Sequence, residues 1–352
     1  MKFFLLFALL KANLSRLPSI VFILVSLLSA SISASENTKQ LSFKQFSTAD
    51  GLSQSYVFSI VQDSQGFIWF ATQDGLNRFD GFEFVHYRND IDDPNTLADN
   101  FVRTLFIDSK GALWAGTANG LSRYNREQDN FTNFFSGAND QSSLKDNTVW
   151  TIYEGEDRNG ANELLVATES GLHRFNPTSE NFTRIVIGDI QDALVEIKTI
   201  FQDDNNDYWF GTYANGIYIA NQSLSRGKRL NANGNASAKW GFAVDATGMF
   251  DCKVIDENYW LATNNGLYIF TPKQELIAHQ TFESTQGKLL SDTIRTVTEY
   301  DEHTVVLGTS NGLVSIDRYT FEANTIEIQT NSLPVSSEAW VMSTLKSVSG
   351  NL

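Results

Sequence analysis

Only one cysteine, Cys252, stands in the 352 residues. No intrachain disulfide is open to it, and a thiolate zinc site would need further cysteines, so Cys252 reads as a small buried hydrophobe. Histidine is nearly as scarce. His86, His173, His279 and His303 are scattered without metal-ligand spacing, and neither a metal nor a cofactor is expected. Positive charge is in deficit, with 26 Lys and Arg against 41 Asp and Glu and a formal charge of -15. A nucleic acid or an anionic membrane requires a basic footprint, so neither is expected as a partner. A nucleophile elbow and a phosphate loop are also missing.

What the sequence has instead is a repeat. Trp69-Phe70-Ala71-Thr72 leads to Gly75-Leu76, and the same order returns five times. Trp114-Ala115-Gly116-Thr117 leads to Gly120, Leu165-Val166-Ala167-Thr168 to Gly171, and Trp209-Phe210-Gly211-Thr212 to Gly216. Trp260-Leu261-Ala262-Thr263 precedes Gly266, and Val306-Leu307-Gly308-Thr309 precedes Gly312. These glycines lie 45, 51, 45, 50 and 46 residues apart. Short β-type runs repeating at this period are the mark of a propeller whose blades are four-stranded sheets.

Alternation and turn residues divide the first unit into strands at 56–62, 67–72, 75–79 and 82–87. Glycine at the start of the third strand supplies backbone freedom at the preceding tight turn, and the Trp or aliphatic residue of the second strand fills the space between blades. Asp63-Ser64-Gln65-Gly66, Asp108-Ser109-Lys110-Gly111, Asp157-Arg158-Asn159-Gly160 and Asp204-Asn205-Asn206-Asp207 mark the turn between the first and second strands. Such side chains bond to nearby backbone, and no EF-hand ligand series accompanies them, so a structural turn is expected rather than calcium. Unit three has a longer first turn and no Trp. Unit five carries a polar insertion at 223–239 before a poorly matched first strand near 249–255.

The ends suggest how the ring closes. Phe43 to Phe46 has the spacing of an outer strand with no blade before it, and Val341-Met342-Ser343-Thr344-Leu345 matches Val57-Phe58-Ser59-Ile60-Val61. The expected fold is therefore all-β: a propeller over 36–352 with six full repeats and a truncated seventh blade closed by the N-terminal strand, which removes the sheet edges. Residues 1–35 differ in kind. Lys2, Lys11 and Arg16 precede an apolar core and a run of small residues, the pattern of a secretory signal peptide. An uncleaved N-terminal anchor is the alternative, because 17–35 carries no charge and nearly reaches bilayer length. Either reading places the rest of the chain in the periplasm or elsewhere outside the cytoplasm.

The series Val57, Ser59, Ile60, Asp63, Gly66, Trp69, Ala71, Thr72 and Gly75 to Phe79 resembles the repeat of the two-component regulator propeller family, as does the opening Ser47-Thr48-Ala49-Asp50-Gly51-Leu52-Ser53. The resemblance runs from about residue 41 onward. It implies a periplasmic sensor region of a membrane signalling protein, whose output would be a histidine kinase, often hybrid, or a diguanylate cyclase in later parts of the same chain. It implies an input segment without catalysis of its own. Two other classes stand beside it. Asp63 to Trp69 also resembles the Asp-box of sialidase-like propellers, which would mean glycoside hydrolysis by paired carboxylates, and many propellers are protein-interaction scaffolds.

Comparison among repeats points to a site. In the first strand, Val57, Val102, Val149, Ile197 and Ile294 stay apolar while Ser59, Thr104, Thr151, Thr199 and Thr296 stay hydroxylic. The column between them varies: Phe58, Arg103, Trp150, Lys198, Arg295. These innermost positions are expected at one mouth of the central channel, where aromatic and cationic groups could hold a sugar and an anionic substituent. The competing reading is packing between blades with charged tips in solvent. Arg78, Arg123 and Arg174 recur at one place in successive units and suit a repeated structural contact. A small-molecule or oligosaccharide ligand, the downstream signalling domains and a second copy in a homodimer are the expected partners.

Overall fold

The computed structural model describes residues 40–43, 46–137, 140–188, 190, 194–230, 248–330 and 340–346. The expected leader at 1–35 and most of the insertion at 223–239 lie outside the described residues. Among the described residues are six four-stranded antiparallel sheets, each made of strands consecutive in sequence. They occupy 57–87, 102–134, 149–185, 197–230, 249–280 and 294–325 and are the six blades of a propeller. In blade one the strands are Val57–Gln62, Ile68–Thr72, Gly75–Phe79 and Phe84–Tyr87, each within two residues of its expected bounds.

The spacing of Thr and Gly in the repeat has a specific cause. Every repeat threonine is fully buried and donates its hydroxyl to the carbonyl of the marker glycine, from Thr72 to Gly75 at 2.8 Å through to Thr309 and Gly312 at 2.9 Å. In five blades the same oxygen accepts a turn N–H. One buried side chain thus satisfies two polar backbone groups of a tight turn. The glycine is obligatory for a second reason: φ is +103° at Gly75 and +89° at Gly266, and a Cβ at Gly266 would stand 2.2 Å from the Gln280 carbonyl oxygen.

Aspartate and tryptophan are linked in the same way. One Asp63 oxygen accepts the N–H groups of Gln65 and Phe67, and the other accepts the Trp69 indole N–H at 3.0 Å. Asp108 serves Trp114 and Asp203 serves Trp209, both at 2.9 Å. The fourth turn therefore begins at Asp203, not Asp204, with Asn206 at φ +63° in the place of glycine. Two adjacent aspartates made the register ambiguous, and the indole six residues on resolves it.

The cores lie between blades. Trp69, Ala71 and Leu76 of blade one pack with Val102, Leu105 and Leu113 of blade two. Trp209, Ile217 and Ile219 of blade four pack with Tyr259, Leu261 and Phe270 of blade five. Buried large aromatics dominate such interfaces energetically. Arg78 stacks over Phe67 and reaches Tyr124 and Asp129 of the next blade, and Arg123 stacks over Trp114 and pairs with Glu180 of the next. These arginines are latches between neighbours.

Closure differs from expectation. The early strand is Gln40–Phe43, and it pairs in parallel with Glu327–Thr330, after blade six, rather than joining 341–345. Phe46 instead meets Phe79 and Phe84 of blade one at ring-centroid distances of 5.0 and 5.7 Å. An outer strand needs a third strand beside it, and among the described residues no third strand of a seventh blade stands to receive it. Six blades are thus established, and the truncated seventh is not among them.

Candidate functional site

The innermost strands of all six blades and residues 340–345 line one cavity of about 710 Å³. Each of the six strands carries the same irregularity. In blade one Val57 pairs with Thr72 and Ser59 with Ala71, leaving Phe58 as an extra residue in the ladder. The corresponding extra residues are Arg103, Trp150, Lys198, Phe250 and Arg295. A β-bulge removes one residue from pairing and re-aims its side chain, and here all six bulged residues line the cavity. The varying column of the sequence is therefore brought together, with Phe58, Arg103, Trp150, Lys198 and Arg295 in one ring.

Phe250 is the member that sequence reasoning missed. Blade five places Met249 and Asp251 where the other units have Val or Ile and Ser or Thr, so its first strand does not align by pattern. The doublet Tyr259-Trp260 before Ala262-Thr263, counted back across the hairpin, was the available signal. Phe101, Tyr213 and Trp340 complete the surroundings.

Aromatic and cationic groups alternate around the mouth. The Phe58 and Phe101 rings are 5.1 Å apart, and the Arg103 guanidinium lies 4.4 Å from Phe101 and 4.3 Å from Trp150. Lys198 Nζ lies 3.1 Å from the Trp150 centroid and 5.2 Å from Tyr213. Tyr213 contacts Phe250 at 6.1 Å, and Arg295 sits 4.2 Å over Phe250 and 5.9 Å from Trp340. Cations over π faces are attracted by the ring quadrupole, more strongly where water is reduced. The Trp150 indole N–H donates to Glu169 at 2.6 Å, which fixes the ring's orientation.

Burial pushes Lys198 down to about 7, and the positive charges of Arg103 and Arg295 push in the same direction. Burial also lowers both arginines from their ordinary value. The hydroxylic column beside the ring is structural, for Ser59 Oγ accepts the Leu105 N–H of the next blade at 3.2 Å. In blade five Asp251 replaces it, accepting the Val297 N–H at 2.9 Å and the Thr296 hydroxyl at 3.2 Å. Burial raises the Asp251 carboxyl.

Residues 51–74 and 96–119 match the sequence profile of the Two component regulator propeller family. The two matches fall on the beginnings of blades one and two. Over 76 residues the chain is 45% identical to Histidine kinase P4 of Formosa agariphila, an alignment covering 22% of this chain and 5% of the kinase. Its fold resembles the extracellular domain of a putative hybrid two component system of B. thetaiotaomicron, with TM-score 0.69 and 23% identity over 87% of this chain and 39% of that one. PorZ, a bacterial surface component of the type-IX secretion system of Porphyromonas gingivalis, is similar with TM-score 0.55 and 19% identity, over 74% of this chain and 38% of PorZ. The chain thus spans a small part of the curated kinase and about two fifths of each solved chain. At these identities the solved structures speak for the fold.

Proposed function

We propose that this propeller is the extracytoplasmic input region of a transmembrane signalling protein of two-component type, and that its cue binds at the mouth of the central cavity. The observation that carries the site is the bulge: in every blade it turns the one variable residue of the inner strand into the cavity, while its neighbours are held for structural reasons. Export is supported by the signal-like pattern of residues 1–35. A two-component context is supported by the repeat family, by the segment shared with a histidine kinase and by the extracellular setting of the similar hybrid-system domain. Output would come from a kinase, or a diguanylate cyclase, elsewhere in a longer protein. A rigid ring transmits by altering how two receptor copies pair, since a ligand shifts only states that it distinguishes energetically.

Asp63, Asp108 and Asp203 hold their turns and indoles, so the Asp-box is a hairpin device here and gives the hydrolase reading no support of its own. Binding is the reading to test. Glycan and small-metabolite pools are titrated against the full chain and against Trp150→Ala and Arg103→Ala. Saturable binding lost in the variants supports the mouth, and affinity unchanged in both overturns it.

The seventh blade belongs to the same proposal. Val341 is the residue that a Cβ on Gly308 would strike, at 2.7 Å, as Val149 is for Gly116 at 2.6 Å. Its N–H donates to Thr309, and Thr344 bonds Thr296 and Thr298 of blade six. These contacts support reading residues 341–345 as the innermost strand of a further blade. In a version extended past residue 352, amide protons of 342–345 are expected to resist exchange as those of 103–106 do. Exchange at the rate of an exposed loop would refute the assignment.

A further inference from the structure

The ring was expected to hold a sugar by stacking and an anionic substituent by charge, and the geometry favours the second. Trp150 has Lys198 Nζ at 3.1 Å and the Arg103 guanidinium at 4.3 Å from one centroid. Two like charges that close to one ring take opposite faces, so neither face is open for stacking. Phe250 carries Arg295, and Phe101 carries the other side of Arg103. Three cations line the cavity beside these rings.

That charge is countered only from a distance, by Glu169 and Asp99 for Arg103 and by Glu196 and Glu169 for Lys198. Elsewhere Arg78, Arg88, Arg123, Arg126, Arg174 and Arg318 each pair with a carboxylate. Among the described residues Arg103, Lys198 and Arg295 have no such partner within salt-bridge distance, in a chain whose formal charge is -15. The Nε donors of Arg103 and Arg295 are shielded from solvent and lack an acceptor. Glu169 accepts the Trp150 indole N–H and acts on Arg103 and Lys198 through its field, without direct contact to either. Burial is the main cause that lowers Lys198, and the positive charges of Arg103 and Arg295 add to it, while Arg295 is lowered by burial and held by the Tyr213 hydroxyl. A bound anion would offset these like charges through charge-assisted hydrogen bonds.

We infer that the mouth takes a small polyanion, a ligand bearing at least two carboxylate or sulfate groups held by Arg103, Lys198 and Arg295, rather than a neutral sugar. This rests on the placement of the cue at the mouth and adds its chemical class. It carries a pH dependence. Lys198 is faced by Arg103 and Arg295, by Glu169 and Glu196, and by Tyr213, with Asp251 and Lys253 of blade five on the same cavity. Because an anion selects the charged amine, affinity falls as pH rises through about 7.

The test is isothermal titration of the full chain at low salt with citrate, inorganic sulfate, trigalacturonate and the neutral trisaccharide maltotriose, below and above the Lys198 midpoint. Citrate, sulfate or trigalacturonate is expected to bind saturably and more weakly at the higher pH, with maltotriose inert. Citrate or sulfate binding as well as trigalacturonate marks a free anion, and trigalacturonate binding alone marks an acidic saccharide. Arg103→Gln and Lys198→Met are each expected to weaken binding about tenfold to a hundredfold, while Lys198→Arg, which keeps the charge, restores it and removes the pH dependence. Melting curves establish that each variant folds. Maltotriose binding as well as trigalacturonate, and lost in Trp150→Ala, overturns the anion while leaving the mouth as the site. Failure of all three anions overturns the anion assignment, and the pooled-ligand titration then decides the mouth independently.

Discussion

His173 allows the inter-blade construction to be tested through pH. It lies on the third strand of blade three, Gly171–Asn176, and is fully buried. Its Nε2 accepts the Lys145 N–H at 3.2 Å, fixing the segment that leads into the blade. Asn77 does this in blade one for the Ser53 N–H at 2.9 Å, and Ser122 does it in blade two for Ala98 at 3.0 Å. Burial drives His173 down to about 4, with Arg184 and Lys145 adding to the effect. The base therefore binds its proton less readily when folded than when unfolded, so its neutral form supports the fold fully above the unfolded value near 6.5. That support is lost as pH falls from there toward 4. Between neutral pH and pH of about 5 the loss amounts to about 2 kcal/mol, or about 3 °C in Tm for a domain of this size. His173→Asn keeps an acceptor, as Asn77 shows, without a titrating group. Thermal melts of both proteins at the two pH values isolate the histidine from every other titration. The parent is expected to lose about 3 °C more than the variant. Equal losses would show that His173 is not held neutral, and the reading of this column as an uncharged backbone anchor would fall.

Two further outcomes follow from the repeat. Trp209→Phe removes the indole N–H from the nearly buried Asp203 carboxylate and is expected to cost about 1–3 kcal/mol more than Trp260→Phe, which no turn aspartate receives. Equal denaturation midpoints would mean that the Asp-Trp bond contributes nothing. Asp251→Ser puts into blade five the residue that accepts the Leu105 N–H in blade one. Because burial raises the Asp251 carboxyl, its ionised form opposes the fold increasingly above the ordinary carboxylate range. The variant is expected to be about 1 kcal/mol more stable at neutral pH, with the gap closing toward pH of about 4 in acid melts. A gap that widened in acid would reverse the sign of the argument.

The blades were legible because their causes are local. Thr72 must reach Gly75, Asp63 must reach Trp69, and neither distance leaves the hairpin. The ring residues were legible only as a column, since a varying position between two fixed ones is visible in a repeat but its direction is not. A bulge is a property of two strands counted against each other. Nothing in Val57-Phe58-Ser59 announces that Phe58 leaves the ladder until Ser59 is seen opposite Ala71. The pairing of Gln40–Phe43 with Glu327–Thr330 was beyond reach for a related reason: it joins segments from far apart in the chain, and strand spacing specifies no partner. The faces of Trp150 were likewise unreadable, because an aromatic and two cations in successive repeats look the same whether they stack on one another or on a ligand.

The bulge also explains how one fold separates stability from recognition. Inner-strand residues on either side of the bulge are committed: Val102 to the core between blades, Ser59 and Asp251 to backbone N–H groups of the next blade. A regular strand would place Arg103 in that ladder, where a change of size or charge would disturb a pair. Set outside the ladder, it can be exchanged for Phe58, Trp150, Lys198, Phe250 or Arg295 with the pairing on both sides unchanged, as the six registers show. The ring is thus the position at which this propeller can change its side chains without altering how it folds. The cost of that freedom is visible in the three unpaired cations, whose repulsion the fold tolerates and a polyanion would remove.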